Sequence, residues 1–405
     1  METERFDAAV IGAGPAGSWT ARRIADRGYR VLLLEKRDRI GYPVRCAEAV
    51  GPRIDVERFI PLGRDLISSP VDGFLIVAPG GQRFEKRMPG IGFTIDRELF
   101  DRRLAEAAQQ SGAVLRTGHQ AMGLTNRDGA ITGLRVKELG TGLEYASKAS
   151  VVVGADGVEA LSPRWAGLAG SFKPDEIFSC AQELITGIEI TKPHIEFHLG
   201  SRFAPGGYAW VFPKGMDTAN VGVGFNPLEA RGKRAVDFLD TFIAHRCPGG
   251  TRTRLVIGGC DVARGLPALA TNGYVTVGEA ARQNNPFSGG GIINALEGAE
   301  MAAETIVAAL RNGDTSARSL APYTRAWRRS VGRANGAFYL AARIFFELSD
   351  AEMDRIMRRV VKVPGVFDEK GIKPVRMVMS LVAAEPSLLV KVLKSVAGRL
   401  LQPLY

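Results

Sequence analysis

At 405 residues, 45% hydrophobic and 24% charged, the chain is too long for one hydrophobic core and has ordinary globular composition, which excludes a disordered, collagenous or disulfide-framework polypeptide. The formal charge of +10 collects behind Thr315, where 16 Lys and Arg stand against 7 Asp and Glu. That excess reads either as a solvated basic face or as a surface that meets phosphate; no zinc-ligand spacing or RNP-type aromatic strand accompanies it, so of the phosphate partners an anionic membrane surface is a better match than nucleic acid.

Phe6–Ile11 predicts a buried parallel strand, Ala16–Arg27 a helix closed by Gly28, and Val31–Leu34 a second strand ended by Glu35, which together form a β-α-β unit. After a loop punctuated by Gly41, Pro43 and Gly51, Arg97–Gln110 predicts a helix and Ala113–Arg116 a strand. Gly129 predicts a hairpin turn between Met122–Asn126 and Ile131–Glu138. Val151–Val153 is a short buried strand that runs into the turn Gly154-Ala155-Asp156-Gly157. From Phe178 to Arg264 the alternation of Tyr208–Phe212 and Asn220–Phe225 predicts an antiparallel sheet. Tyr274–Gly278 returns to a buried strand, Gly291–Leu310 is a long helix, and the chain from about Ala321 is helical and basic. The expected division is a discontinuous nucleotide-binding domain (1–177 plus 265–320), an antiparallel-sheet substrate domain (178–264) and a basic helical region (321–405).

Gly12, Gly14 and Gly17 follow a strand and open a helix. The first permits the tight turn, the second lets backbone approach a pyrophosphate, and the third allows close helix–strand packing. The helix start supplies free N–H groups and partial positive charge for phosphates, beside Ala16. Glu35 ends the second strand, where a carboxylate accepts from ribose hydroxyls and disfavours a 2′-phosphate, so FAD or NAD is the expected nucleotide. A second Gly-rich helix start, Gly289-Gly290-Gly291 before Ile292, points to FAD: its N–H groups suit the pyrimidine edge of a flavin, and Glu279 just ahead suits a ribityl hydroxyl.

On these residues the chain resembles the flavoprotein hydroxylase superfamily and, within it, the geranylgeranyl reductase family, in particular the archaeal type acting on digeranylgeranylglycerophospholipids. The wider motifs are the first glycine cluster, Asp96-Arg97 before a helix, Asp156-Gly157, and Gly278–Arg282. The narrower ones are Gly41-Tyr42-Pro43-Val44-Arg45-Cys46-Ala47-Glu48, the strand Tyr208-Ala209-Trp210-Val211-Phe212-Pro213-Lys214, and Pro286 ahead of three glycines. The resemblance implies an α/β fold: an FAD-binding Rossmann-like domain of the flavoprotein hydroxylase type, an inserted antiparallel-sheet substrate domain and a helical C-terminal region. It also implies cofactor contacts at Ala16, Glu35, Cys46, Ala47, Ala49, Arg97, Ala121, Glu279, Gly291 and Ile292, to which the motifs add Lys36, Arg45, Asp156, Gly157 and Gly290. Where the superfamily usually has Asp, this chain has Glu279.

Tyr208, Trp210 and Phe212 alternate on one strand and so share a face, which reads either as sheet core or as a flat apolar wall for a polyprenyl chain, with Pro286 nearby. The implied chemistry is saturation of isolated C=C bonds. Hydride passes from reduced FAD N5 to one alkene carbon at about 3–3.5 Å and a proton reaches the other, in a dry pocket. Cys46 beside Arg45 is a small buried side chain, a flavin-shaping contact or the proton donor. His119, His194, His198 and His245 show no paired acid–base spacing.

The expected partners are a polyprenyl glycerophospholipid, an anionic membrane surface met by Lys391, Lys394 and Arg399, and an electron donor that is ferredoxin, a deazaflavin or NAD(P)H. Four dispersed cysteines (Cys46, Cys180, Cys247, Cys260), an acidic start at Met1–Glu4 and the lack of an uncharged apolar run of about 18 residues lead us to expect a cytoplasmic protein peripheral to the membrane, without a metal site. Two other readings of the same scaffold remain: an aromatic monooxygenase or halogenase using O₂, and a non-catalytic prenyl carrier.

Overall fold

The structure is a computed structural model that describes residues 4–190 and 192–360, with short pieces at 367–368, 371–372 and 379. Lys391, Lys394 and Arg399, the expected membrane contacts, lie outside the described residues. The chain opens with β1 (Arg5–Ile11), α1 (Pro15–Ala25) and β2 (Val31–Leu34). There follow β3 (Ala49–Val50), α2 (Arg53–Glu57), β4 (Ile67–Val77), β5 (Arg83–Ile95), α3 (Arg97–Gln110), β6 (Val114–Arg116), β7 (His119–Arg127), β8 (Ala130–Glu138), β9 (Glu144–Gly154) and α4 (Leu161–Trp165). Next come β10 (Ile177–Thr186), β11 (His194–Leu199), β12 (Tyr208–Pro213), β13 (Thr218–Phe225), α5 (Ala235–Arg246) and β14 (Thr251–Asp261). The last elements are β15 (Ala270–Thr271), β16 (Tyr274–Thr276), α6 (Ile292–Arg311), α7 (Ala317–Arg329), α8 (Val331–Phe345) and α9 (Asp350–Val360).

The first sheet runs β15-β16-β9-β1-β2-β6, parallel from β16 to β6, with the β7–β8 hairpin attached to the first half of β9. Its central strands are almost continuously apolar because both faces are covered. Ala8, Val10, Val31, Leu33, Val151, Val153 and Val275 face α1, α6 and α7, while Phe6, Ile11, Leu32, Leu34, Val152 and Tyr274 face the hairpin through Ile131, Leu134 and Val136. Each such valine, leucine, isoleucine or phenylalanine side chain, taken fully out of water, is worth roughly 1.5–3 kcal/mol. The hairpin turn carries Asp128 at φ 52° and Gly129 at φ 76°, the two left-handed positions of a type I′ turn.

The second sheet runs β14-β10-β13-β12-β11-β4-β5-β3 and departs from expectation in two ways. It takes β3, β4 and β5 from residues 49–95, which the sequence reading keeps within the nucleotide domain, and β4 pairs parallel with β11, so the sheet is mixed. Strand pairing across more than a hundred residues leaves no local signature. One face packs on α5, a helix absent from the sequence reading: Ala181, Val211, Val221, Val223 and Phe225 meet Phe238, Leu239 and Phe242. The other face looks back at the first sheet. The C-terminal helices seal the molecule. α7 sets Leu320, Tyr323 and Trp327 into the first core, and α8–α9 set Ile344, Phe345, Met353 and Ile356 against Leu199 and Tyr208. No helix among the described residues is long and apolar enough to cross a membrane.

Candidate active site

A cleft of about 420 Å³, within the range of small-molecule and cofactor sites, lies between the two sheets. Its nucleotide half starts at the end of β1. Gly12 takes φ 100°, and a Cβ there would stand 2.5 Å from the Ala155 oxygen. Gly17 lies behind the lining, where a Cβ would meet the Gly12 oxygen at 1.8 Å, so its part is to seat α1 on the strand. Gly14 is the N-cap of α1, without a side-chain cap and with no atom within 4 Å of where a Cβ would stand, so the first-turn N–H groups open on the cleft. The Glu35 carboxylate is fixed at the end of β2 by N–H groups of Ala13 and Arg37, each at 3.0 Å, which leaves it lone pairs for a diol. Lys36, Ala121 and His119 share this end; the sequence reading assigns His119 no role.

A second uncapped helix start faces the same cleft: Gly291 is the N-cap of α6, behind Gly290 and before Ile292. A Cβ at Gly291 would strike Asn284 Oδ1 at 1.9 Å. Glu279 is half-buried, and its longer arm reaches back: Oε1 accepts from the Asp261 N–H at 3.1 Å and from Asn284 Nδ2 at 3.0 Å. Burial pushes its carboxyl pKa up against those bonds and the nearby Arg97 charge. Asp156 and Gly157 line the cleft, but both Asp156 oxygens are taken up by Ser162, which also meets the Tyr274 hydroxyl. Asp156 therefore braces the turn.

Arg45, Cys46, Ala47 and Ala49 all border the cleft, yet the cation at the thiol is not Arg45 as expected. Arg45 is exposed and its stem lies against Gly258. Arg97 takes the place. It is gripped bidentately by Asp101 at 2.9 and 2.8 Å, and although burial opposes its charge, Asp101 and then Cys46 raise its pKa. The Cys46 thiol accepts the Glu48 N–H at 3.2 Å. The Cys46 carbonyl is clamped by two carboxamides, Gln182 Nε2 at 2.9 Å and Asn220 Nδ2 at 3.1 Å. Glu48, at φ 70° and buried, pairs with Lys214 Nζ at 2.9 Å and accepts the Arg97 N–H. Thus the flavin-side loop is bolted to the far sheet by residues of that sheet.

Tyr208, Trp210 and Phe212 do share the cleft face of β12. Their partners across the ladder are Gly224, Gly222 and Asn220. A Cβ on Gly222 would lie 2.2 Å from the indole Cζ2, so the glycine is what lets Trp210 lie across β13. Phe197 edges onto Tyr208 and Phe212, and Phe346 and Phe287 continue the panel beyond Tyr208, stacked 5.5 Å apart. Pro286 is buried behind the Gly turn and does not border the cleft. Cys180 and Cys260 do border it, unforeseen from their spacing; burial pushes the Cys180 thiol up to about 12 and Cys260 well above its ordinary value. Trp210 Nε1, on a residue that lines the cleft, and Asn220 Oδ1 beside it on β13 are buried and find no partner among the described residues, as do Arg22 Nε and Ser147 Oγ away from the cleft. Leaving such a group unpaired costs about 1–3 kcal/mol, which fits a site completed by a bound group.

Two uncapped helix starts about one cleft, an anchored diol acceptor and an apolar wall opposite fit a flavin dinucleotide. Comparison with known proteins agrees. Residues 10–59 match an NAD(P)-binding Rossmann-like domain, and residues 176–262 match the geranylgeranyl reductase catalytic domain. A digeranylgeranylglycerophospholipid reductase of Methanosarcina acetivorans is 39% identical over 87% of this chain and 87% of its own. The chain belongs to the geranylgeranyl reductase family. A solved geranylgeranyl bacteriochlorophyll reductase-like member from Thermoplasma acidophilum superposes with TM-score 0.88 at 29% identity, covering 97% of this chain and 100% of its own. A flavin-dependent brominase, 18% identical with TM-score 0.71 over 94% of this chain and 100% of its own, shares the fold alone. The matched catalytic segment of the family begins at the strand that carries Cys180 and ends at the strand that carries Cys260, with the strands of Trp210 and Asn220 between them.

Proposed function

We propose that the protein is an FAD-dependent reductase that saturates C=C bonds in the geranylgeranyl chains of a glycerophospholipid ether, a step of archaeal-type membrane-lipid biosynthesis. The observation that carries this reading is the aromatic panel of β12, laid over Gly222 and Gly224 and facing both uncapped helix starts across one cleft. FAD, when bound and reduced, supplies the hydride. The N–H groups behind Gly14 hold its pyrophosphate, Glu35 its adenosine ribose, and those behind Gly291 its pyrimidine edge.

The chain supplies the rest. An isolated trisubstituted alkene has no carbonyl to take up charge, so the carbon next to the one that receives hydride must gain a proton in the same event. Tyr208, Trp210 and Phe212 present π faces to methyls and methylenes, hold the chain flat and exclude water that would trap a tertiary cation. Cys46 stands at the seam between panel and cofactor loop and is the proposed proton donor. Arg97, whose charge Asp101 and Cys46 favour, balances the thiolate left behind. Electrons enter from a separate donor (ferredoxin, a deazaflavin or NAD(P)H), and the protein works at the membrane surface where its substrate resides. The test is lipid mass spectrometry in a host fed prenyl-ether precursors. Saturated chains should accumulate only with the protein present; unsaturated lipids in equal amount with and without it would refute the reading.

A further inference from the structure

The sequence between Asp314 and Glu347 contains six arginines and neither a lysine nor an acidic residue. The structure folds this stretch into α7 and α8 and sorts it sharply. Leu320, Tyr323 and Trp327 are buried on one side of α7, while Arg318, Arg325, Arg328 and Arg329, with Arg333 at the start of α8, are exposed on the other. The sixth, Arg343, pairs with Asp175 and Glu347. Arg328 donates to the Pro267 carbonyl. Arg325, Arg329 and Arg333 make no ion pair with a carboxylate among the described residues. Arg325 and Arg329 lie one turn apart on the last turns of α7, and Arg333 stands in the first turn of α8, just past the break at Ser330 (φ −100°, ψ −111°).

We infer that this α7–α8 arginine row is a docking surface for an anionic phospholipid membrane. Like charges at this spacing repel, so the row weakens the free protein slightly and is relieved by phosphate groups opposite. Guanidinium groups take phosphate bidentately, and each basic residue at an anionic surface strengthens binding about fivefold. Lipid rather than nucleic acid is favoured by where α8 leads. Phe345 and Phe346, at its far end, pack with Phe287 and Tyr208 at the end of the aromatic panel. Phe346 lies thirteen positions beyond Arg333, about 20 Å of helix. One helix thus joins a phosphate-seeking surface to the apolar end of the cleft. The proposal rests on the functional reading only for its purpose, a substrate that resides in a bilayer.

The test uses the full-length FAD-loaded protein and sedimentation with phosphatidylglycerol or phosphatidylcholine vesicles. Native protein should partition onto the anionic vesicles and release as salt rises. Arg325→Glu, Arg329→Glu and Arg333→Glu together should cut that partition at least about 100-fold. Their melting temperature and their turnover of detergent-dispersed lipid should stay native. A tail variant, Lys391→Glu with Lys394→Glu, should keep most of the binding. Equal binding to neutral vesicles, native-like binding by the row variant, or tighter binding of the row to duplex DNA than to vesicles would overturn the proposal. Vesicle binding is read without turnover, so a protein that docked but saturated nothing would uphold this inference and sink the functional one.

Discussion

Glu48 and Lys214 meet in a buried pair at the point where the cofactor loop touches the substrate sheet, and both residues sit in motifs visible in the sequence. Lys214→Met strands the Glu48 carboxylate and should cost about 3–5 kcal/mol in denaturant unfolding, much of it recovered when Glu48→Gln is added. Gly222→Ala puts a methyl where the Trp210 ring lies. It should shift the tryptophan emission of the folded protein and raise KM for prenyl lipid by about tenfold, the loss of roughly 1.4 kcal/mol of contact. An unchanged KM would show that the indole does not face substrate. Cys46→Ala should lower kcat by about 10²–10⁴, the usual worth of a positioned acid, with the flavin still bound. Full turnover with unchanged stereochemistry would remove Cys46 from proton transfer. At this scale Gly12, Gly14, Glu35 and the β12 aromatics are legible because their meaning is local: a turn, a strand end, an alternation. Gln182 and Asn220 are not, since they reach the Cys46 carbonyl from 136 and 174 residues away. The cation at Cys46 is hidden for the same reason: adjacency in sequence names Arg45, while the helix start at Arg97 delivers the charge.

β11 and α5 are joined by Glu196, which accepts from Arg246 Nε at 2.8 Å and from His198 at 3.0 Å. Burial alone would raise the Glu196 pKa, but Arg246 and then His198 hold it at about 2, below its ordinary 4.5. A lowered carboxylate pKa stabilises the fold above the unfolded value and loses that contribution as pH falls through the folded one. Stability should therefore drop between about pH 4.5 and pH 2, by on the order of 3 kcal/mol from this group. Urea unfolding of Glu196→Gln should show the loss already at pH 7 and a flatter acid limb; an acid limb like that of the native protein would contradict it. The elements of the nucleotide unit follow from sequence because β-α-β order, caps and apolar runs are contiguous. α3 begins where Asp96 caps the Leu99 N–H, and its limits match the reading. β4 and β5 escape it although they pair with each other as a local hairpin: Pro70, Gly73, Pro89 and Gly90 interrupt their apolar alternation, and the β4–β11 pairing that places them in the second sheet spans more than a hundred residues. α5 escapes it for a different reason: it interrupts a run of strands whose turn signals favour a continuous sheet.

Across the whole molecule, two sheets present opposite halves of one cleft, and neither half is a site alone. The nucleotide unit holds helix starts without a substrate wall. The second sheet holds a wall, two orphaned polar atoms and the residues that clamp the cofactor loop. Their joint test is a single turnover without oxygen: FAD-loaded protein is reduced with dithionite, mixed with a digeranylgeranylglycerophospholipid, and followed by flavin absorbance and lipid mass together. Reoxidation of the flavin matched by a gain of one H₂ per saturated bond is the expected result. A flavin that stays reduced until oxygen is admitted, with no hydrogen added to the lipid, would contradict it.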